Sequence, residues 1–172
     1  MEIGLLLLRL TVGLTLAAHG AQKGLGWFGG QGLDRIGGMF EMLGFHPGRR
    51  HALMASVVEI AGGLLLALGL LTPLAAALTF SLMIVAAVSV HMKNGFFITN
   101  GGFEYNLVFG VTGLTIAFTG PGALSIDALL GLPALHGGAF WGLVSFVVGL
   151  IGASLQLAQR RTAPAMQAVA AK

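Results

Sequence analysis

Ionisable side chains occur inside or beside apolar stretches of this 172-residue chain, where such groups are costly. Glu59 lies within SVVEIAGGLLLALGLLTP, an apolar run at 56–73, and His19, His91 and Glu104 border other such runs. A carboxylate at the centre of a membrane helix costs roughly 2.5–3.5 kcal/mol on insertion scales. We therefore expect Glu59 to have a partner or a function inside the protein.

Carboxyl and imidazole groups can donate, accept and relay protons. The candidate catalytic residues are Glu59, His19, His91 and Glu104. The candidate anion-binding residues are Arg9, Lys23 and Asn106.

Several kinds of redox site are excluded by the composition. The chain has no cysteine, so it can form no disulfide, thiolate metal site or CxxC dithiol of its own. It also lacks a dinucleotide-binding glycine fingerprint and a haem-attachment motif. The Glu-x-x-His spacing of bundle di-metal sites is absent, so we expect no metal. Electrons would have to come from a bound cofactor and a protein partner.

The composition places most of these residues in lipid. Hydrophobic residues make up 56% of the chain and charged residues only 9%, against about 25% charged in soluble domains. The mean hydropathy is +0.90. These values predict an all-α membrane protein in contact with the bilayer, and nothing in the chain indicates nucleic acid as a partner. The chain could also associate with further copies of itself.

The apolar runs predict a single transmembrane domain at 1–158, a four-helix bundle plus a fifth, C-terminal span. The predicted spans lie near 3–21, 52–71, 74–92, 104–119 and 139–157. Apolar residues at spacings of 3, 4 and 3 predict a short interfacial helix, at Leu33, Ile36, Phe40 and Leu43. We interpret it as a cover over the bundle rather than a lid over a site. The polar segment 159–172 is expected to be a disordered cytoplasmic tail.

Positive charge is distributed unequally between the two sides of these spans. Eight of the nine Lys and Arg residues lie on the side opposite the N-terminus, and Arg9 lies within the first span. The positive-inside rule then predicts a bacterial inner-membrane protein with its N-terminus outside and its C-terminus in the cytoplasm. On this topology Glu59, His19, His91 and Glu104 all lie at the cytoplasmic end, where we expect them to converge on one pocket edged by Lys23 and Asn106.

The order of several motifs resembles the DoxX family. The motifs are RL…G…HG…K at 9–23, EIAGG at 59–63, LGLLTP at 68–73, His91, GGFEYN at 101–106 and GPG…SID at 120–127. The resemblance covers roughly residues 3–130 and implies a four-helix membrane protein, so the span after Gly138 is an extension. Relatives include the DoxD subunit of thiosulfate:quinone oxidoreductase, and other members are linked to membrane oxidoreductase assemblies that handle oxidative stress.

The resemblance implies quinone-linked redox chemistry or a scaffold role, and it leaves the substrate open. In the first case the chain is a membrane subunit that receives electrons from a protein partner, and a quinone is the expected cofactor. A quinone needs an apolar slot and proton donors for its carbonyl oxygens, and Arg9, Lys23 and Asn106 would bind its head group. In the alternative, the polar cluster is a structural lock between helices and the chain is a non-catalytic scaffold. A small transporter is the least favoured alternative, because the sequence contains no evident inverted repeat.

Overall fold

A computed structural model of the chain describes residues 1–132 and 137–161, and every regular element within these ranges is helical. The long helices are α1 (Glu2–Gly24), α3 (Gly48–Leu68), α4 (Thr72–Ala86), α5 (Glu104–Thr119) and α7 (Ala139–Ala158). Two shorter helices are α2 (Gly32–Met42) and α6 (Ile126–Leu129). The α4 helix continues through a π-helical turn at Ala87–His91 and a 3₁₀ turn at Met92–Asn94.

Four helical segments of the described chain are long and apolar enough to cross a membrane. They are Glu2–Gly24, Gly48–Leu68, Thr72–Asn94 and Ala139–Ala158. The predicted all-α membrane fold is therefore confirmed. The predicted span at 104–119 is also a helix, but its 16 residues extend only about 24 Å, less than the ~30 Å of a bilayer core. A five-span topology stays a prediction.

The bundle is built by close contacts at small residues. The α1 helix packs along α3, and a Cβ added to Gly13 or Gly63 would overlap the backbone of the other helix. Nearer the other end of this pair, the Ser56 hydroxyl donates to the Gly20 carbonyl oxygen at 2.8 Å. The absence of side chains at the glycines lets the two backbones approach, and this contact sets the register of α1 against α3.

The α4 helix lies at the centre of the remaining packing, between α3, α5 and α7. Gly149 of α7 lies against Phe80 of α4, and Gly142 of α7 lies against Phe118 of α5. Large apolar side chains cover the outside of the helices, including Leu14, Val57, Leu107 and Ile151. An apolar exterior around small-residue contacts is what a bundle in contact with lipid requires.

The two ends of the bundle are closed differently. At one end, which we call the α6 end, α6 and the preceding loop cover the turn between α3 and α4, where Gly69 has a left-handed conformation (φ 61°). At the other, the α2 end, α2 packs against α3. The end of α7 is fixed there, because Arg161 N–H donates to the Gly44 carbonyl oxygen at 2.8 Å. Residues 162–172 of the predicted tail lie outside the described residues.

Candidate functional site

A partly open cavity of about 450 Å³ lies at the α2 end, lined by α2, α3, α4, α7 and the end of α1. Its polar lining residues are Lys23, His51, Glu59, Ser81, Ser89, His91 and Gln156. The remaining lining residues are apolar: Met39, Phe40, Leu43, Phe45, Met54, Ala55, Val58, Leu78, Leu82, Val85, Ala86, Val90 and Gly152. The α2 helix therefore forms a wall of the cavity, which differs from its interpretation as a simple cover.

Glu59 contributes a buried carboxylate to the cavity, with 3% of the residue exposed. Lys23 Nζ donates a hydrogen bond to Glu59 Oε1, which forms an ion pair between α1 and α3. Within the described chain, Glu59 Oε2 is buried and receives no hydrogen bond. The Lys23 side chain is 29% exposed, so the pair connects a buried carboxylate with the protein surface.

The π-helical turn of α4 brings Ser89 and His91 to the cavity. The Ser89 hydroxyl is buried, and no described group pairs with it. His91 Nδ1 lies 2.7 Å from the Gly101 carbonyl oxygen, which can only accept, so Nδ1 carries a proton and donates. In a neutral ring Nε2 is then an acceptor. Single π-helical turns occur frequently at functional sites.

His51 lines the cavity but was not among the predicted site residues. It is 4% exposed, and its ring lies 5.3 Å from the ring of Phe45. Gln156 Nε2 donates to His51 Nδ1 at 2.9 Å, while Gln156 Oε1 accepts from Gln159 at 3.3 Å. These contacts fix Nδ1 as an acceptor, so Nε2 carries the proton of the neutral ring.

The sequence placed the start of the second span at residue 52, just beyond His51. The α3 helix instead begins at Gly48, whose N–H donates to Glu41 Oε1 at 3.1 Å. The extra turn takes His51 into the bundle. Only the position of His51 eight residues before Glu59 could have hinted at a common helix.

The structure brings together three of the predicted site residues: Glu59, Lys23 and His91. His19 is exposed and does not line the cavity. Glu104 instead accepts a hydrogen bond from Ile98 N–H at 3.0 Å and so orders its own loop. The predicted convergence is corrected at these two positions, because a shared depth along the helices does not set the direction in which each side chain points.

Asn106 lies in a different place from the cavity. It lines a second cavity of about 120 Å³ between α4 and α5, where its amide is 3.8 Å from Met83 Sδ. Its predicted place at the edge of the Glu59 pocket is therefore also corrected. Across residues 1–132 and 137–161, no group of three or more His, Cys, Asp or Glu residues could hold a metal ion.

Arg9 lies at the α6 end, away from the cavity. Its guanidinium is fully buried and donates to the carbonyl oxygens of Pro121 and Leu124, at 2.6 and 2.5 Å. Arg9 was predicted to bind a quinone or an anion. In the structure Arg9 instead binds backbone carbonyls of a loop more than 110 residues later, and Glu59 pairs with Lys23.

Fold and site together define an all-helical membrane protein with a buried carboxylate facing an internal cavity. The sequence profile of the DoxX family matches residues 4–92. The chain is 31% identical over 126 residues to the Bacillus subtilis (strain 168) protein named "Putative oxidoreductase CatD", over 73% of this chain and 86% of that protein. The chain belongs to the DoxX family, as the motifs predicted. No solved structure gives a significant match.

Proposed function

We propose that this chain is the membrane subunit of a quinone-linked oxidoreductase and that the cavity at the α2 end binds the quinone head group. The observation that carries the proposal is Glu59, a buried carboxylate with one oxygen paired to Lys23 and the other unpaired beside an apolar cavity. The name of the Bacillus subtilis relative, an oxidoreductase, supports the same class of function.

The residues present fit a quinone. A volume of about 450 Å³ lies within the usual range for small-molecule sites, roughly 300–1,000 Å³, and such sites combine apolar walls with a few polar groups. His51 Nε2–H would hold a ring oxygen by a hydrogen bond. A bound quinone supplies two-electron redox chemistry, which no side chain of this cysteine-free chain provides.

The chain's own contribution is proton handling and the exclusion of water. Glu59 can hold a proton at Oε2, and Lys23 links this carboxylate to the surface because nearly a third of its side chain is exposed. The aromatic and aliphatic walls from α2 and α3 keep the head group dry, which strengthens these polar contacts. The electrons come from a protein partner, and association with further copies of the chain is compatible with this role.

Equilibrium binding of a quinone tests the proposal. The protein in lipid nanodiscs is dialysed against a tail-less ubiquinone analogue, and saturable binding is expected. Ala55→Phe places a ring in the cavity and should lower the affinity at least about ten-fold, whereas Val57→Phe on the exposed face of the same helix should leave it unchanged. Absence of saturable binding, or equal effects of the two variants, would contradict a head-group site in this cavity.

We also propose that the protein lies in the bacterial inner membrane with the α2 end facing the cytoplasm. Lys23, Arg49 and Arg160 lie at or beside this end, in keeping with the positive-inside rule. Reporter fusions after residue 161 and within the loop at 120–125 would test the orientation. Activity of the C-terminal fusion outside the cytoplasm would reverse it.

A second candidate function is a non-catalytic scaffold in which the ion pair serves as a lock. The observation in its favour is that Lys23 and Glu59 join α1 to α3 directly. If the ion pair is only a lock, variants that break it should fail to fold. The native protein should then show no saturable quinone binding. The nanodisc experiment therefore separates the two functions before any charged residue is changed.

A further inference from the structure

We infer that the cavity opens sideways into the lipid, between α3 and α7, and that the apolar chain of a membrane quinone passes through this opening at Met54. This inference rests on the proposed function and adds to it the class of ligand, a quinone with an isoprenoid chain that enters from the bilayer. It follows from the position of Met54 and from the contacts that close the other sides of the cavity.

Met54 of α3 lies both at the cavity and at the outer surface. It is 41% exposed, more than any other residue of the lining. Leu53 and Val57, beside it on the outside of α3, are 45% and 53% exposed. Both α3 and α7 are long and apolar enough to cross a membrane, so exposed apolar residues between them contact lipid. The cavity therefore has its mouth on the lipid-facing surface of the bundle.

The mouth lies on the side of α3 that faces α7. By the helical period, Met54 and Glu59 are about 140° apart around α3. Glu59 points toward α1, where it pairs with Lys23. His51 lies between these two directions and meets Gln156 of α7. Met54 lies beyond His51 on the same side, so its edge of the cavity adjoins α7 rather than α1.

A glycine of α7 lies at the depth of Met54. The hydrogen bond between His51 and Gln156 joins the two helices at the α2 end, where α3 begins and α7 ends. Met54 follows His51 by three residues and Gly152 precedes Gln156 by four, which places both about one turn deeper. Gly152 lines the cavity and has no side chain to fill the space beside Met54. The two helices therefore leave a gap below their hydrogen bond.

On its other sides, the described residues close the cavity or make it polar. At the α2 end, Leu43 lines the cavity, and its carbonyl oxygen accepts a hydrogen bond from Arg160 Nε at 3.0 Å. Toward the middle of the bundle α3 and α4 close together, since a Cβ added to Gly62 would lie 3.3 Å from Leu78 Cβ. Lys23 also reaches the surface, but its ammonium group suits water rather than an apolar chain. The apolar way out is therefore between α3 and α7.

A membrane quinone matches this arrangement in size and polarity. About 450 Å³ holds a head group, but a chain of several isoprene units is longer than the cavity and has to leave it. Methionine is unbranched with three rotatable side-chain bonds, so Met54 can turn aside for a chain of irregular outline. The chain then continues among the lipids, while the head group stays inside with His51 and Glu59.

Two ubiquinone analogues, one without a chain and one with two isoprene units, test the opening. Equilibrium dialysis of the protein in nanodiscs should show saturable binding of both. Met54→Trp places a ring in the opening, so it should weaken binding of the analogue with the chain at least about ten-fold and that of the tail-less analogue less than about two-fold. Leu53→Trp, on the exposed surface beside it, should change neither affinity. Each comparison uses one ligand, so its partition into lipid cancels.

Photolabelling of the native protein gives a second measurement that needs no variant. A diazirine on the first isoprene unit should label Met54 and the segment 151–155 of α7, and excess unlabelled analogue should suppress this labelling. Label found instead on α1 near Lys23, or label that the excess analogue does not suppress, would overturn the opening between α3 and α7.

The outcomes separate the opening from the quinone site. Saturable binding of both analogues, with Met54→Trp weakening both equally or neither, would overturn the opening and leave the head-group site standing. Absence of saturable binding for both analogues would overturn the proposed function, and the opening with it. Thermal unfolding checks that each variant is folded, and the photolabelling decides if Met54→Trp is not.

Discussion

Both ends of the bundle bury a carboxylate, but the one at the α6 end is fully hydrogen-bonded and the one at the α2 end is only partly so. At the α6 end, Asp127 is fully buried and accepts hydrogen bonds from Leu71 N–H, Thr72 N–H and the Thr72 hydroxyl, at 2.8, 3.0 and 2.7 Å. At the α2 end, Glu59 pairs through one oxygen only, and the other is buried without a partner among the described residues.

Arg9 extends this contrast. Its two terminal nitrogens are taken by backbone carbonyls of the loop at 120–125, although its Nε has no partner among the described residues. Arg9 lines neither of the two cavities described above. Buried charge by itself therefore does not identify a binding site in a membrane helix. Glu59 differs from Arg9 because it has an unpaired oxygen and also lines a cavity.

The largest effect on stability is expected at the α6 end. Asp127→Ala leaves three donors without an acceptor, two of them buried, which should lower the free energy of unfolding by about 3 kcal/mol or more. SDS unfolding in mixed micelles measures this loss. Ser125→Ala in the same loop removes a helix cap and should cost only about 1 kcal/mol. Native-like stability of Asp127→Ala would show that the loop is not held by this carboxylate.

An intermediate effect is expected from Lys23→Met at the α2 end. It leaves the Glu59 carboxylate buried without its cation, which should cost about 2 kcal/mol. The loss is smaller than for a fully buried pair, because the exposed part of Lys23 already lies near water. The double variant Lys23→Met/Glu59→Leu should recover most of the loss in the same unfolding assay. A double variant as unstable as the single one would mean that the unpaired charge is not the cause.

The smallest effect is expected at the exposed pair on the outside of the α2 end. Arg49 Nε lies 3.0 Å from Asp34 Oδ1, but the two side chains are 67% and 90% exposed. Arg49→Gln should therefore change the free energy of unfolding by less than about 0.5 kcal/mol, and salt should not alter this result. A loss comparable to that of Lys23→Met would remove the distinction between surface and buried ion pairs in this bundle.

The sequence by itself determined the membrane class, the order of the long helices and the presence of a short helix between the first two of them. These follow from local properties, since apolar runs and the spacing of apolar residues depend only on neighbours along the chain. It also identified Glu59 as the most informative residue, because the cost of a carboxylate in an apolar helix does not depend on the tertiary fold.

The tertiary structure decided which polar residues meet. Counting residues along a helix gives depth, but the direction of a side chain depends on how neighbouring helices pack, which is why Glu59 and Lys23 meet while His19 faces outward. The role of Arg9 depends on a loop more than 110 residues away. No local sequence pattern could predict that the carbonyls of this loop are its partners. Ser89 and His51 entered the site through a π-helical turn and an extra helical turn, which hydropathy does not encode.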